Sequence, residues 1–473
     1  MKSLSFRYLC ATCLMTAALT NFGVPAVQAH DEDDHKHEPV LAADLEVWKP
    51  SAVPDRIVLS WKEAPATTQA VNWRTDTSVY RAYAEVAKAT AGPIPEADSK
   101  RYNAKTSLLL TSLHPAHYHS VNFRELEPAT KYAYRVGDGV NWSEWSHFTT
   151  ASEENKPFTF VYFGDAQNDL KSHWSRIVRE AFKDAPRAAF FLHAGDLIND
   201  AHNDANWGEW FYSGGFINRT TPVIAVPGNH EYFKEKGDDG EYKTYYLTKH
   251  WRPTFTFPEH GPSDLEESVF YIDYQGVRIV AMNSNERLDE QAEWLDKVLA
   301  NNPNQWTILT FHHPIYSPKA GRDNPTLRAK WQPTIDKYKV DLVLQGHDHT
   351  YSRTKLMKAG DYEPTALAEN QPSGEKGQKD ETGTMYVVSV SGPKMYDLGR
   401  QPFMRRAAED TQLYQIITVD GDKLKYEART AIGEKYDGFT LQKREGKPNK
   451  LIEQVPDTPE NRREPAEEEE KKE

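Results

Sequence analysis

The chain has 473 residues, of which 38% are hydrophobic and 12% aromatic, so it can build more than one packed core. A single core stops growing at roughly 250 to 300 residues, which predicts two domains. Its 57 Lys and Arg residues against 70 Asp and Glu residues give a formal charge of −13. This balance excludes the basic footprint typical of nucleic-acid-binding proteins, and we expect no nucleic-acid partner.

Residues 1–29 have the pattern of a signal peptide. Lys2 and Arg7 precede an apolar run over residues 8–19, and small residues at positions 27 and 29 form a cleavage site. A retained membrane anchor is the alternative, but the apolar run falls short of the roughly 20 residues that cross a bilayer. The sequence therefore predicts a secreted or periplasmic protein with no membrane span after the signal is removed.

Both cysteines, Cys10 and Cys13, lie within this predicted signal. Cleavage would also remove two basic residues, so that the 57 fall to 55 against 70 acidic residues, a formal charge of −15. A mature chain without cysteine offers a metal ion only nitrogen and oxygen ligands.

Two polar segments flank the predicted domains. Residues 30–48 begin with a run rich in acids and histidines, which predicts a linker. Residues 443–473 end in a glutamate-rich stretch without apolar periodicity, which predicts a disordered acidic tail.

Short runs of β-forming residues fill residues 49–152 and predict an all-β sandwich. These runs are Ile57–Trp61, Ala70–Trp73, Tyr83–Val86, Tyr118–Phe123, Tyr132–Val136 and Trp145–Thr149. The segment from Leu126 to Val136 resembles the fibronectin type III pattern, which implies that Tyr132 bonds back to the chain at a strand corner.

In residues 153–442 apolar strands alternate with helical stretches such as Ser172–Phe182 and Asp289–Leu299, which predicts an α/β domain. Five polar blocks each follow an apolar strand. The blocks are Gly164-Asp165-Ala166-Gln167, Gly195-Asp196, Gly228-Asn229-His230-Glu231, His312-His313-Pro314 and Gly346-His347-Asp348-His349. Open α/β sheets bind ligands at the carboxyl ends of their strands, so we expect these blocks to converge.

The residue types in these blocks indicate a metal centre. Carboxylate, amide oxygen and neutral imidazole are the ligands that suit Zn, Mn or Fe. The glycines at the start of four of the five blocks allow a sharp turn, so that the following side chain can point at the metal. By contrast, His193 lies inside a strand, and we expect it to be a core residue.

The five blocks, in this order, resemble the calcineurin-like metallophosphoesterases. The sandwich, the signal peptide and the run from Gly346 to Arg353 are most similar to the purple acid phosphatases. The resemblance covers residues 50–440 and implies a fibronectin type III-like sandwich followed by a four-layer αββα metallophosphoesterase domain.

The same resemblance implies a role for each block. Asp196 would bridge two metal ions; Asp165 and His349 would bind the first ion; and Asn229, His312 and His347 would bind the second. Purple acid phosphatases carry a metal-binding tyrosine three residues after the bridging aspartate, but this chain has Asn199 there. Superfamily relatives place a ligand two residues after the first aspartate, so Gln167 replaces it. We therefore expect two divalent ions and no colour.

The resemblance implies that metal-bound hydroxide attacks a phosphate monoester and that His230, oriented by Glu231, protonates the leaving group. His313 would hold a ligand or a phosphate oxygen, and His202 and Tyr232 either line the pocket or have ordinary loop roles. Arg322, in the loop after His313, could bind a phosphate bidentately, but we expect it to be solvated. The expected partners are small phosphorylated substrates.

Two alternatives stay open. The same two-metal centre serves phosphodiesters and nucleotides, and the loops that would decide the preference carry no readable pattern. Trp142-Ser143-Glu144-Trp145-Ser146 has the letters of a box found in fibronectin-like receptor domains, which would fit a non-catalytic secreted binding protein.

Overall fold

The computed structural model describes residues 41–93, 98–237, 242–362 and 382–463. The predicted signal peptide and most of the predicted linker lie outside these residues. The described chain begins with a short helix, α1 (Ala42–Val47), whose following residue Trp48 lies against Gly208 of the second domain. The prediction that the linker extends to residue 48 is therefore wrong for residues 41–48, because the Trp48 indole packs against the second domain.

The first domain is a sandwich of eight strands. They are β1 (Asp55–Ser60), β2 (Gln69–Thr75), β3 (Tyr83–Lys88), β4 (Lys100–Asn103), β5 (Lys105–Leu110), β6 (Pro115–Phe123), β7 (Lys131–Gly137) and β8 (Ser146–Thr149). One sheet has the order β1-β2-β6-β5 and the other β4-β3-β7-β8, all antiparallel. Alternate side chains such as Trp73, Phe123 and Val136 fill the core between them.

The tyrosine corner is present. The Glu127 N–H donates to the Tyr132 hydroxyl at 2.8 Å, five residues upstream along the chain. The segment Trp142–Ser146 packs beside β7. The Arg135 guanidinium on that strand lies 4.3 Å from the Trp142 ring and 4.8 Å from the Trp145 ring. Glu144 of the box pairs with Arg219 of the second domain at 2.6 Å.

The second domain contains sixteen described strands and five α-helices. The strands are β9 (Phe158–Phe163), β10 (Phe191–His193), β11 (Val223–Ala225), β12 (Tyr232–Lys236), β13 (Tyr242–Leu247), β14 (Phe270–Tyr274), β15 (Val277–Ala281), β16 (Trp306–Thr310), β17 (Leu342–Gln345), β18 (Tyr351–Met357), β19 (Thr384–Val388), β20 (Met404–Ala408), β21 (Leu413–Asp420), β22 (Lys423–Thr430), β23 (Lys435–Arg444) and β24 (Lys447–Glu453). The helices are α2 (Ser175–Asp184), α3 (Asp204–Gly214), α4 (Trp251–Thr254), α5 (Leu288–Ala300) and α6 (Pro325–Lys337).

Two seven-stranded sheets stack at the centre of this domain. Their orders are β11-β10-β9-β21-β22-β23-β24 and β14-β15-β16-β17-β19-β18-β20. One core lies between the sheets and continues to α2 and α3, and a second core packs the other sheet against α5 and α6. The predicted αββα order is confirmed. Parallel pairing of β10 with β9 and β11, and of β16 with β15 and β17, points the carboxyl ends of these strands to one edge.

A buried ion pair joins the two domains. Arg56 donates to both carboxylate oxygens of Asp204, at 2.6 and 3.0 Å, and both side chains are almost fully buried. Arg74 lies 3.4 Å and His250 3.3 Å from the same carboxylate. Burial opposes ionisation of Asp204, but Arg56 more than offsets it and holds the pKa of that carboxyl well below its usual range.

The prediction of a disordered tail from residue 443 is wrong as far as residue 463. β24 pairs antiparallel with β23, with Leu451 opposite Leu441, and Arg353 reaches Glu453 at 2.9 Å. The edge strand β24 contains only one apolar pair, Leu451-Ile452, among polar and charged neighbours. This pair is too short to give the sequence an apolar periodicity, so the strand was not predicted. Residues 464–473 lie outside the described part.

Among the described residues, no helix is both long and apolar enough to cross a membrane.

Candidate metal centre

The five predicted blocks converge at one edge of the two sheets. Asp165 follows β9, Asp196 follows β10, Asn229 follows β11, His312 follows β16, and His347 and His349 follow β17. All six side chains are buried. The structure thus brings together residues from loops that are up to about 180 positions apart in the chain, as in the 2.7 Å bond that His347 N–H donates to Asp165 Oδ1.

One group of possible metal ligands comprises Asp196, His312 and His347. His312 Nε2 lies 3.1 Å from Asp196 Oδ2 and 3.2 Å from His347 Nδ1. Asn229 Oδ1 lies 3.0 Å from each of these two ring nitrogens. Four donor atoms therefore face one point.

A second group comprises Asp165, Asp196 and His349, so that Asp196 belongs to both. His349 Nε2 lies 3.0 Å from Asp165 Oδ2, and the Gln167 side-chain nitrogen lies 2.6 Å from the same ring nitrogen. The Gln167 side-chain oxygen is buried without a hydrogen-bond partner among the described residues. A buried amide oxygen without a partner is costly unless it meets a cation, so Gln167 fits the predicted ligand role.

The glycines before the ligands leave room for them. A Cβ on Gly228 would lie 2.0 Å from Asp196 Oδ1, and a Cβ on Gly346 would lie 2.1 Å from Asp165 Oδ1. The packing of neighbouring loops, more than a sharp turn, therefore requires glycine at these two positions.

The charges of the cluster also suit a cation. Burial lowers the pKa of His312, but the carboxylates of Asp196 and Asp165 more than reverse this and raise it to about 9. Burial raises the pKa of Asp196, yet His312 and His230 hold it well below its usual range. The carboxylates thus attract positive charge, which metal ions bound here would supply.

Glu231 has a different role from the one predicted. It does not orient His230, because its carboxylate accepts the N–H groups of Gly228 at 2.7 Å, Asp196 at 2.8 Å and Leu197 at 2.8 Å. Burial, and then the Asp196 carboxylate, raise the pKa of Glu231 to about 8. Glu231 is therefore a positioning residue that ties the Asn229 loop to the Asp196 loop.

His230 is oriented by the main chain instead. Its Nδ1 donates to the Asn199 carbonyl oxygen at 2.5 Å, which leaves Nε2 facing the centre, 4.0 Å from Asp196 Oδ2. The side chain of Asn199 points elsewhere and accepts from Asn168 at 2.8 Å. An asparagine bonded to Asn168 therefore occupies the position of the metal-binding tyrosine of purple acid phosphatases.

Of the three remaining predicted residues, His313 contacts a candidate metal ligand. His313 contacts the Ser284 hydroxyl through Nδ1 at 2.8 Å, and its ring lies 4.3 Å from that of His347. His202 stacks on Phe233 at 4.4 Å. The Tyr232 hydroxyl donates to Glu286 and accepts from Asn283, contacts that fit the ordinary loop role.

His193 is a core residue, as predicted. It stacks between Phe163 and Trp174, and burial lowers its pKa to about 3. The expectation for Arg322 is wrong: its side chain is only 13% exposed, and its guanidinium lies 2.5 Å from His347 Nε2.

A sixth polar block that follows a strand was not predicted from the sequence. β19 ends before Ser391-Gly392-Pro393, and the N–H groups of Ser391 and Gly392 donate to the Asp165 carbonyl at 2.9 and 2.6 Å. An apolar run at residues 384–390 precedes Gly392, as an apolar run precedes each of the five other blocks. This pattern could have identified the sixth block.

Two family models match the chain. Residues 54–150 match the purple acid phosphatase N-terminal domain, and residues 158–351 match the calcineurin-like phosphoesterase. These ranges agree with the two domains described above.

Relatives and solved structures agree with these matches. An uncharacterized protein of Mycobacterium tuberculosis is 27% identical over 62% of this chain and 60% of its own length. The Fe(3+)-Zn(2+) purple acid phosphatase 12 of Arabidopsis thaliana is 28% identical over 49% of this chain and 51% of its own length. The chain thus spans 60% or less of these two relatives. The structure of purple acid phosphatase PPD1 from yellow lupin superposes with a TM-score of 0.66 at 20% identity, covering 83% of this chain and 74% of that one.

Proposed function

We propose that this chain, which joins a purple acid phosphatase N-terminal domain to a calcineurin-like phosphoesterase domain, is a metal-dependent phosphatase that hydrolyses phosphate monoesters. The observation that carries the proposal is the shared carboxylate: Asp196 belongs to both groups of possible metal ligands. Two ions held by a shared carboxylate would stabilise both the attacking and the leaving oxygen in phosphoryl transfer to water.

The ligands divide between two ions. Asp165, Gln167 and His349 would hold the first ion, and Asn229, His312 and His347 the second. Two divalent ions bound here would polarise phosphoryl oxygens and lower the pKa of water, the largest contribution available to the rate. Zn, Mn and Fe all suit this set of oxygen and nitrogen donors.

His230 supplies the proton for the leaving group. Its Nδ1 is held by the Asn199 carbonyl, so Nε2 is the atom that carries the exchangeable proton toward the centre. A leaving alkoxide is a strong base, and its protonation by a positioned imidazolium assists departure. Glu231 and Gly228 keep Asp196 and the His230 loop in place.

The asparagine at position 199, where purple acid phosphatases have a metal-binding tyrosine, predicts that the protein has no purple colour. Because residue 199 is asparagine, this position supplies no phenolate that could give a charge-transfer band with Fe(III). We therefore propose two divalent ions in a colourless protein. Secretion or export to the periplasm belongs to the same proposal, on the basis of residues 1–29.

A direct comparison of substrates tests the proposal. We expect kcat/KM to be higher for p-nitrophenyl phosphate than for bis-p-nitrophenyl phosphate, with both activities absent in Asp196→Ala. A higher kcat/KM for the diester would instead assign a phosphodiesterase or nucleotide hydrolase. Phosphate binding without turnover of either compound would favour a non-catalytic binding protein.

A further inference from the structure

A polar groove lies at the junction of the two domains. Its volume is about 550 Å³, within the range of ligand pockets, which often lie between domains. Asn72 of β2 donates to the Pro253 carbonyl at 3.1 Å, and Lys62 pairs with Glu259 at 2.8 Å, so both domains form its walls. We call this cavity the interdomain groove, and among the residues that line it are Asn72, Tyr102, Lys105, Ser120, Asn122 and Pro253.

One wall of the groove is the outer face of the sheet β1-β2-β6-β5. Asn72 lies opposite Ser120 of β6, and Ser120 lies opposite Lys105 of β5, so these three side chains form one row across the sheet. Asn122 lies two residues further along β6 and therefore projects from the same face. Val71, the neighbour of Asn72, points the other way into the core of the sandwich. The alternation of the strands thus turns a polar face toward the second domain.

Two asparagines in this wall have buried polar atoms without partners. Asn72 is 2% exposed, and its side-chain oxygen has no hydrogen-bond partner among the described residues. In Asn122 the side-chain oxygen and the side-chain nitrogen are both buried and lack such a partner. Buried polar atoms are costly to a fold unless something bonds to them. Two acceptor oxygens and one donor nitrogen are therefore available to a ligand in the groove.

The charges of the groove favour a neutral ligand. Carboxylates pair with three of the four Lys and Arg side chains that line it. These pairs are Lys62 with Glu259 at 2.8 Å, Arg124 with Glu63 at 3.1 Å and Arg252 with Glu266 at 3.4 Å. An anion without protons cannot donate to the two asparagine oxygens, and a metal ion cannot accept from the Asn122 nitrogen. The ligand must therefore carry groups that both donate and accept hydrogen bonds.

We propose that the interdomain groove binds a neutral saccharide. Each sugar hydroxyl both donates and accepts, so one molecule can bond to the Asn72 oxygen and to both polar atoms of Asn122. The Tyr102 hydroxyl donates to the Arg124 carbonyl at 3.2 Å, and its ring offers an apolar surface on which the C–H face of a sugar packs.

A peptide also donates and accepts hydrogen bonds, but the groove does not suit one. Peptides bind to sheets by pairing with an edge strand or by placing apolar side chains in pockets. Side chains of a sheet face form this wall, and among the described residues that line the groove only Val121 and Pro253 are aliphatic. The saccharide site is a binding function in addition to the proposed phosphatase activity and does not depend on the metal centre.

Calorimetry of the purified wild type with neutral trisaccharides tests the site. The probes are maltotriose, cellotriose, mannotriose and tri-N-acetylchitotriose, and we expect at least one of them to bind. Asn122→Leu should weaken the binding of that sugar by roughly 10- to 100-fold, because two hydrogen bonds are lost. Asn301→Leu is the matched control, since Asn301 is an exposed asparagine outside the groove that donates to the Lys297 carbonyl at 2.9 Å. It should bind the sugar as the wild type does.

Urea unfolding of the same variant separates a ligand site from a structural role. Because neither polar atom of Asn122 bonds to the described part of the chain, Asn122→Leu should leave the unfolding midpoint unchanged or raise it. A lower midpoint would show that these atoms serve the fold and would overturn the site. Binding of none of the four sugars, or equal affinity of the wild type and Asn122→Leu, would also overturn it. Inorganic phosphate should not displace the sugar, since displacement would place the sugar at the metal centre and contradict the proposal.

Discussion

Replacing Gly228 by alanine tests how closely the loops must approach to hold Asp196. The added Cβ would lie 2.0 Å from Asp196 Oδ1 and 2.5 Å from Asp196 N. An ordinary contact needs about 3.5 Å, so the carboxylate or the loop must move by about 1.5 Å. Gly228 has φ −90° and ψ −173°, which alanine adopts without strain. The effect is therefore steric.

A displacement of about 1 Å in a catalytic group can cost ~100-fold in rate, so Gly228→Ala should lower kcat for p-nitrophenyl phosphate by at least that factor. Metal content measured on the same sample should fall with it, while the far-ultraviolet circular dichroism stays that of the wild type. Gly92→Ala is the control, because a Cβ there would meet no described atom within 4 Å. Wild-type kcat and metal content in Gly228→Ala would refute the reasoning.

Two further changes address the domain interface and the proton donor. Asp204→Asn leaves Arg56 buried without its countercharge, so the free energy of unfolding from urea titration should fall by roughly 3–5 kcal/mol, whereas Asp296→Asn, which removes an exposed pair, should leave it nearly unchanged. Arg56, Arg74 and His250 surround Asp204, and its folded-state pKa is depressed. The difference in free energy of unfolding between the wild type and Asp204→Asn should therefore be constant from about pH 8 to 5 and shrink only below about pH 4. A difference that grows on acidification would contradict this prediction. His230→Asn should lower kcat/KM for an alkyl phosphate by roughly 10²–10⁴-fold and for p-nitrophenyl phosphate much less, since p-nitrophenolate leaves without a proton; equal losses on both substrates would exclude His230 as the proton donor.

The position of the site could be predicted because it depends on strand ends. Asp165 and His347 are 182 residues apart, yet each follows a short apolar run, and parallel strands bring such ends together. The same reasoning placed His193 in the core, because it lies within the run and not after it. The position of the site was thus predicted mainly from the apolar runs and the turn residues that follow them.

The contacts of individual side chains were not predictable in this way. Glu231 follows His230 directly, but the turn at residues 229–231 points the two side chains in different directions. Arg322 and Tyr396 belong to loops without periodicity, and these loops are joined by the bond from Gly399 N–H to the Pro318 carbonyl at 2.7 Å. The edge strand β24 was missed because its stability comes from pairing with β23, which its own composition does not reveal.

The central claim is a centre of two divalent ions that share Asp196. Elemental analysis of the purified wild type and of Asp196→Ala, with a visible absorption spectrum of the same samples, tests it most directly. We predict two divalent ions per wild-type chain, loss of metal from the variant, and no charge-transfer band. A single ion per chain, unchanged metal content in Asp196→Ala, or a phenolate-to-Fe(III) band would contradict the account.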